Sequence, residues 1–147
     1  MNRILFLDID GVANDFGPQA FLPKCVEQLN RIIDATSCKL VLSSAWRYYI
    51  YEGYMSLDGF GLLLKTHGVR GMLVGMTCKD ENTPELLDIP DRMWQIQEYL
   101  RLNQHDRYCV LDDLSLSKSW REFVQTDSRV GLTASDADKA ISILNGG

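Results

Sequence analysis

At 147 residues, with 46% hydrophobic and 24% charged side chains, the chain is sized and composed for one globular domain (1–147) with a substantial core. A net charge of −5 argues against broad electrostatic binding to nucleic acid or to an anionic membrane, while leaving room for a local basic pocket. No apolar stretch approaches the roughly 20 residues of a membrane helix, and the start lacks the apolar core and cleavage site of a secretory signal, so a cytoplasmic protein with no membrane partner is expected.

The chain opens on Arg3-Ile4-Leu5-Phe6-Leu7-Asp8-Ile9-Asp10-Gly11, an apolar run of strand length that ends abruptly in two acids and a glycine. In extended backbone, residues two apart point to one side, so Asp8 and Asp10 are predicted to leave the strand end together. Like charges that close repel unless a cation sits between them. The alternative is a polar strand end running into a turn.

Residues 12–18 read as a loop from their Asn, Asp, Gly and Pro content. Pro23 then suits a first helical turn, and Val26, Leu29, Ile32 and Ile33 recur at helical spacing as far as Ala35. Lys39-Leu40-Val41-Leu42 is predicted as a second buried strand, ending in Ser43-Ser44-Ala45-Trp46-Arg47. Strand, helix, strand over about 40 residues is a βαβ unit with parallel strands.

Residues 48–91 are the least legible. One helix is expected within 48–65, a third strand at 71–75, and a loop from Lys79 to Asp91, with Pro84 and Pro90 inside it. Residues 48–91 have room for a small cap or insert and no more. Asp91 is placed to cap a helix carrying Met93, Ile96 and Leu100 on one face. Tyr108-Cys109-Val110-Leu111 is another buried strand, running into Asp112-Asp113, and Phe123-Val124 a further short one. Thr133 with Asp136 forms a capping box for a last helix with Ile141 and Leu144 on its apolar face, stopped by Gly146.

Three apolar strands thus end in polar chemistry: Asp8 and Asp10, Ser43, and Asp112-Asp113. In a parallel sheet these ends share one edge, where open α/β sheets bind ligands. Carboxylate oxygens without histidine or cysteine select Mg²⁺. His67 and His105 stand beside no motif, and Cys25, Cys38, Cys78 and Cys109 form no Cys-x-x-Cys pair, so reduced core thiols are expected. A carboxylate beside such an ion can serve as a phosphoryl-transfer nucleophile. Ser43 and Ser44 can offer hydroxyls and N–H groups to a phosphate, and Arg47 a bidentate contact. Arg92 is a cation at a helix's positive end, which a bound anion would rationalise. Each feature has a plainer reading: a turn at Ser43-Ser44, a surface Arg47, Arg92 paired with Asp91 or Asp88, a solvated Asp112-Asp113. Trp46 with Tyr48, Tyr49 and Tyr51 reads as packing or as a base-stacking platform.

With these residues assembled, the chain resembles the haloacid dehalogenase-like (HAD) hydrolase superfamily. The resemblance implies a doubly wound, Rossmann-like α/β fold: a mainly parallel sheet, helices on both faces, and a minimal cap or none. Leu5-Phe6-Leu7-Asp8-Ile9-Asp10 is similar to the first motif, which implies that Asp8 is nucleophile and metal ligand. Asp10 would be the general acid/base, lending its carbonyl to the Mg²⁺. Val41-Leu42-Ser43 is similar to the second motif and Leu111-Asp112-Asp113 to the fourth, whose acids bind the metal. The third-motif lysine has no clear counterpart; Arg92 is the first candidate and Lys79 the second. In finer detail, Leu-Ser-Ser-Ala-Trp-Arg, Leu-Asp-Asp and Thr-Asp-Ser-Arg-Val-Gly-Leu-Thr resemble small HAD domains associated with RNA-repair proteins. The expected activity is a Mg²⁺-dependent phosphatase forming an aspartyl-phosphate on Asp8. Its substrate is a small phosphorylated molecule or a large one such as a nucleic-acid 3′-phosphate end, with no obligate protein partner implied. The alternatives are a small-metabolite phosphatase and a non-catalytic HAD-fold binding module with a structural Mg²⁺.

Overall fold

A computed structural model describes residues 1–78 and 90–147. The strands are β1 (Arg3–Leu7), β2 (Lys39–Leu42), β3 (Leu73–Met76), β4 (Arg107–Asp112) and β5 (Phe123–Gln125). The helices are α1 (Pro23–Thr36), α2 (Arg47–Tyr51), α3 (Leu57–Thr66), α4 (Asp91–Leu102) and α5 (Ala134–Leu144). All strands pair in parallel in the order β3-β2-β1-β4-β5, which puts β1 at the centre. The chain steps outward from β1 to β3 on one side, then crosses to β4 and β5 on the other. The reversal falls between β1 and β4, and a crevice opens there at the carboxyl edge.

Alternation along the strands sends residues to two cores. Leu5, Leu7, Leu40, Leu42, Cys109 and Leu111 pack with α1, α3 and α5 on one face. Ile4, Phe6, Val41 and Val110 pack with Ile96, Tyr99 and Leu100 of α4 and with Leu116 and Trp120 on the other. Burial on both faces explains why these strands read as continuous apolar runs. The fold is therefore the doubly wound, Rossmann-like sheet expected from the sequence.

Local signals set most boundaries. Pro23 begins α1, and Ser37 ends it in the left-handed conformation at φ 55°. In α5 the Thr133 side chain accepts from the Asp136 N–H while the Asp136 carboxylate accepts from the Thr133 N–H, the full capping box. Gly146 follows at φ +87°. Two local expectations need correction. Residues 47–66 hold two helices, not one, because Gly53 turns out of α2 at φ +82° and Ser56 caps α3 by accepting from the Gly59 N–H. Asp91 is not the cap of α4: Pro90 holds that position with extended backbone and its carbonyl accepts from the Trp94 N–H, so Asp91 is the first helical residue.

Within the stretch considered for a cap, α3 and β3 are built into the main fold. Phe60 and Leu64 are core residues, and β3 is the sheet's outer strand. The expected loop from Lys79 falls, through residue 89, outside the described residues. All four cysteines are free thiols; three are buried, with Cys78 partly exposed.

Phe6 lies fully buried, its ring edge-on to Tyr99 at 5.6 Å and to Tyr108 at 6.2 Å. Phe6→Ala is expected to lower unfolding stability by about 3–5 kcal/mol. Urea titration should show this as a lower midpoint with an unchanged slope.

Candidate active site

The carboxyl edge is assembled by sheet hydrogen bonds that continue one step past the strands. The Asp8 N–H donates to the Leu111 carbonyl, Ser43 N–H to Leu7, Thr77 N–H to Leu42 and Thr126 N–H to Asp112. Because Leu7 stands opposite Leu111, Asp8 and Asp112 follow as neighbours. With Asp113 they make a trio whose carboxylate oxygens lie within 4.8 Å of one another, Asp8 and Asp112 buried and Asp113 partly so. Gly11 makes room for the third acid. It turns at φ +83°, and a Cβ there would sit 2.6–2.8 Å from Asp113 side-chain atoms.

Arg92 reaches into the trio from the first turn of α4. Its Nη1 donates to Asp112 Oδ2 at 2.7 Å and to the Ser43 carbonyl at 3.1 Å, and stands 3.7 Å from Asp8 Oδ1. Among the described residues its anionic neighbours are thus the site's own acids. Desolvation, helped by the charge of Asp112, pushes the Asp8 carboxyl up from its ordinary value to about 9, with Arg92 pulling the other way. Burial also raises Asp112, against the opposing pull of Arg92 and of the Leu114 N–H.

The two acids of the first strand part company. β1 ends at Leu7, so the period-two rule no longer governs Asp10, which lies in the turn that follows. Its Oδ1 accepts from Asn14 Nδ2 at 3.0 Å and its Oδ2 from Trp46 Nε1 at 3.1 Å. The resemblance gives the Asp10 carbonyl to the metal; the Asp10 carboxylate stands apart from the trio.

Ser43 is buried, and among the described residues its hydroxyl and that of Thr77 have no hydrogen-bond partner. Ser44 is buried as well, its Oγ accepting from the Trp46 N–H in a local turn. Arg47 is not the surface residue its sequence position permits. It is buried, and it donates from Nε to the Cys78 carbonyl, from Nη1 to the Ser44 carbonyl and from Nη2 to Gln95 Oε1. Three segments are thereby tied together behind Ser43. Lys79 and Asp88 lie outside the described residues. His67 stacks on Phe21 at 4.5 Å, and His105 is held at the Asn103 carbonyl, so neither enters the site. Sequence reasoning missed Asn14 and the hydrogen bond of Trp46. An Asn four residues after an acid in a turn signals the first, whereas nothing local signals the second.

The residues of the site fit a divalent metal ion. With all three acids ionised, and Arg92 the cation in contact with them among the described residues, two negative charges are left uncompensated within that described set. A divalent cation matches that charge, and the all-oxygen donor set suits Mg²⁺.

Residues 4–137 match the family described as the HAD domain in Swiss Army Knife RNA repair proteins. The chain belongs to this family. Comparison with curated proteins and with solved structures returns no match in either case. Among the described residues, no helix of this HAD domain is long and apolar enough to cross a membrane.

Two outcomes follow from the geometry. The fold favours protonated Asp8, so its contribution to stability is full below the ordinary carboxylate pKa and falls as pH rises toward about 9. In thermal unfolding with chelator, Tm should be lower at pH 8 than at pH 5, and added Mg²⁺ should raise it more at pH 8. Equal Mg²⁺ responses at both pH values would contradict the charge argument. Gly11→Ala should displace Asp113 and weaken Mg²⁺ binding at least tenfold, about 1.4 kcal/mol, by calorimetric titration.

Proposed function

We propose that this HAD domain is a Mg²⁺-dependent phosphomonoesterase that works through an aspartyl-phosphate on Asp8. The observation that carries the reading is the trio of Asp8, Asp112 and Asp113 gathered at the sheet's switch point, with Asp8 and Asp112 buried. Asp8, Asp112 and Asp113 would hold the ion with the Asp10 carbonyl. Bound Mg²⁺ supplies charge neutralisation to the acids and to the phosphoryl oxygens.

The chain's own residues divide the remaining work. An Asp8 carboxylate oxygen attacks phosphorus as the ester P–O bond breaks, and the Asp10 carboxyl gives its proton to the departing oxygen. In the second half, Asp10 takes a proton from water as that water attacks phosphorus. The Asp8–phosphorus bond breaks, releasing inorganic phosphate. The buried Ser43 hydroxyl, unpartnered among the described residues, is suited to donate to a phosphoryl oxygen, and Arg92 to neutralise developing charge. Ser44 and Arg47 support that loop from behind.

A nucleic-acid 3′-phosphate end is the proposed substrate. The family's RNA-repair association supports it. So does the short path from β1 to β2, one loop and α1, which leaves no room for a large cap domain there. The exposed rings of Phe16, Tyr49 and Tyr54 offer surfaces on which bases stack. A soluble cytoplasmic setting suits this role.

The test is Mg²⁺-dependent phosphate release from 3′-phosphorylated oligonucleotides, nucleotides, sugar phosphates and a generic aryl phosphate. Wild type should favour the oligonucleotides, and Asp8→Asn should lose at least about three orders of magnitude in kcat. That variant should still fold, since it removes a charge the fold disfavours. Substantial turnover by Asp8→Asn would overturn the nucleophile assignment; better rates on sugar phosphates would move the substrate to small metabolites. Mg²⁺ binding without release from any ester would leave the binding module.

A further inference from the structure

Both oxygens of Asp10 are held by neutral N–H donors from two different segments. Asn14 Nδ2 donates to Oδ1, and Trp46 Nε1 donates to Oδ2. Neither donor is loosely placed. Asn14 is buried, and its amide is fully engaged: Oδ1 accepts from the Gly11 and Phe16 N–H groups, and Nδ2 also donates to the Ala20 carbonyl. This one side chain therefore closes the loop that follows the nucleophile. Trp46 is wedged edge-on against Phe21 at 6.1 Å, Phe60 at 6.0 Å and Tyr49 at 5.8 Å, which fixes the direction of its indole N–H. The Trp46 N–H is in turn anchored on Ser44 Oγ, two residues away in the loop that carries Ser43.

A proton carrier must meet the departing oxygen in one geometry, and two donors on opposite oxygens fix both the position and the plane of a carboxylate. The remaining lone pairs stay available for the transferred proton. Asp10, so held, is not among the clustered carboxylates of Asp8, Asp112 and Asp113.

We propose that Asn14 and Trp46 are positioning residues that hold the Asp10 carboxyl for proton transfer to the leaving oxygen. The inference rests on the phosphatase reading above. It places the departing group beside Trp46 and the loop of Asn14, rather than beside Arg92. As the ester P–O bond breaks, the proton passes from the Asp10 carboxyl to the leaving oxygen, and that oxygen keeps the bond's electron pair. Only a poor leaving group needs that proton.

The test compares a 3′-phosphorylated oligonucleotide, an alkyl ester, with a nitrophenyl phosphate, whose leaving group departs without protonation. Trp46→Phe keeps an aromatic ring in the packed position and deletes the N–H. Its kcat/KM on the alkyl ester, which reports the steps through leaving-group departure, should fall at least about tenfold, with less than about a twofold change in kcat/KM on the nitrophenyl ester. Replacement of Trp46 by benzothienylalanine, the same shape without the N–H, should reproduce this split even if the phenylalanine variant folds poorly. A separate readout uses the metal-free protein. The Trp46 indole N–H resonance, identified by its loss in Trp46→Phe, should exchange slowly with solvent and move on Asp10→Asn. Equal losses of kcat/KM on both esters, or no loss on either, would overturn the positioning role, as would an indole resonance indifferent to Asp10→Asn. Failure of wild type to hydrolyse either ester would instead remove the phosphatase reading, and the positioning role with it.

Discussion

The structure turns on the repulsion between carboxylates gathered at one end of β1 and β4. Parallel strands lie about 4.8 Å apart, and the register that sets Leu7 against Leu111 brings Asp8 and Asp112 to that spacing at the edge of a buried sheet. Neither acid can withdraw. The residues before them are fully buried strand, and ladder bonds from Asp8 to Leu111 and from Thr126 to Asp112 hold the backbone past the strand ends. The apolar layers on the two faces thus supply the stability against which the site's electrostatic strain is held.

Much of the surrounding detail follows from accommodating that charge. Gly11 is required twice over, for its left-handed turn and for the space Asp113 occupies. The loop it starts is then tied down from several directions: Thr126 Oγ1 donates to the Gly11 carbonyl at 2.6 Å, and the Leu132 N–H to the Val12 carbonyl at 2.8 Å. Gly131 sits so close to the Asn14 and Val12 carbonyls that a Cβ would stand 2.8 and 3.1 Å from them. The stretch from Thr126 to Thr133, conspicuous in sequence, is therefore a brace on the loop between Asp10 and α1 as well as the lead-in to α5.

What the sequence made legible was whatever depends on neighbours along the chain. Buried strands showed as apolar runs, their acidic ends as the site's edge, and Thr133 with Asp136 as a helix start. The division of residues 47–66 was also written locally, in Gly53 and Ser56, but the aromatic run of Tyr48, Tyr49 and Tyr51 before them masks the break. Arg47 and Trp46 were different. Whether an arginine after a strand faces solvent or turns inward depends on Cys78 and Gln95, 31 and 48 residues away. The Trp46 N–H finds Asp10 across 36 residues. No periodicity encodes such meetings. For the same reason, the two-residue spacing of Asp8 and Asp10 suggested a shared direction that holds only while the backbone stays extended, and β1 stops one residue before Asp8.

Arg92 brings a guanidinium, not an ammonium, against the acids of the trio. A lysine's single ammonium is a compact point charge, whereas a guanidinium distributes five donors over a planar fork. Here Nη1 alone bonds Asp112 and the Ser43 carbonyl. Nε and Nη2 make no hydrogen bond within the described residues and remain available to a ligand. Under the proposed function, one side chain can then damp the repulsion between Asp112 and Asp8 in the resting site and still meet a phosphoryl oxygen, without giving up its acid to do so. Its origin in the first turn of α4 fits this double role. A cation is unfavourable at a helix's positive end on its own account, and the nearby carboxylates offset that cost.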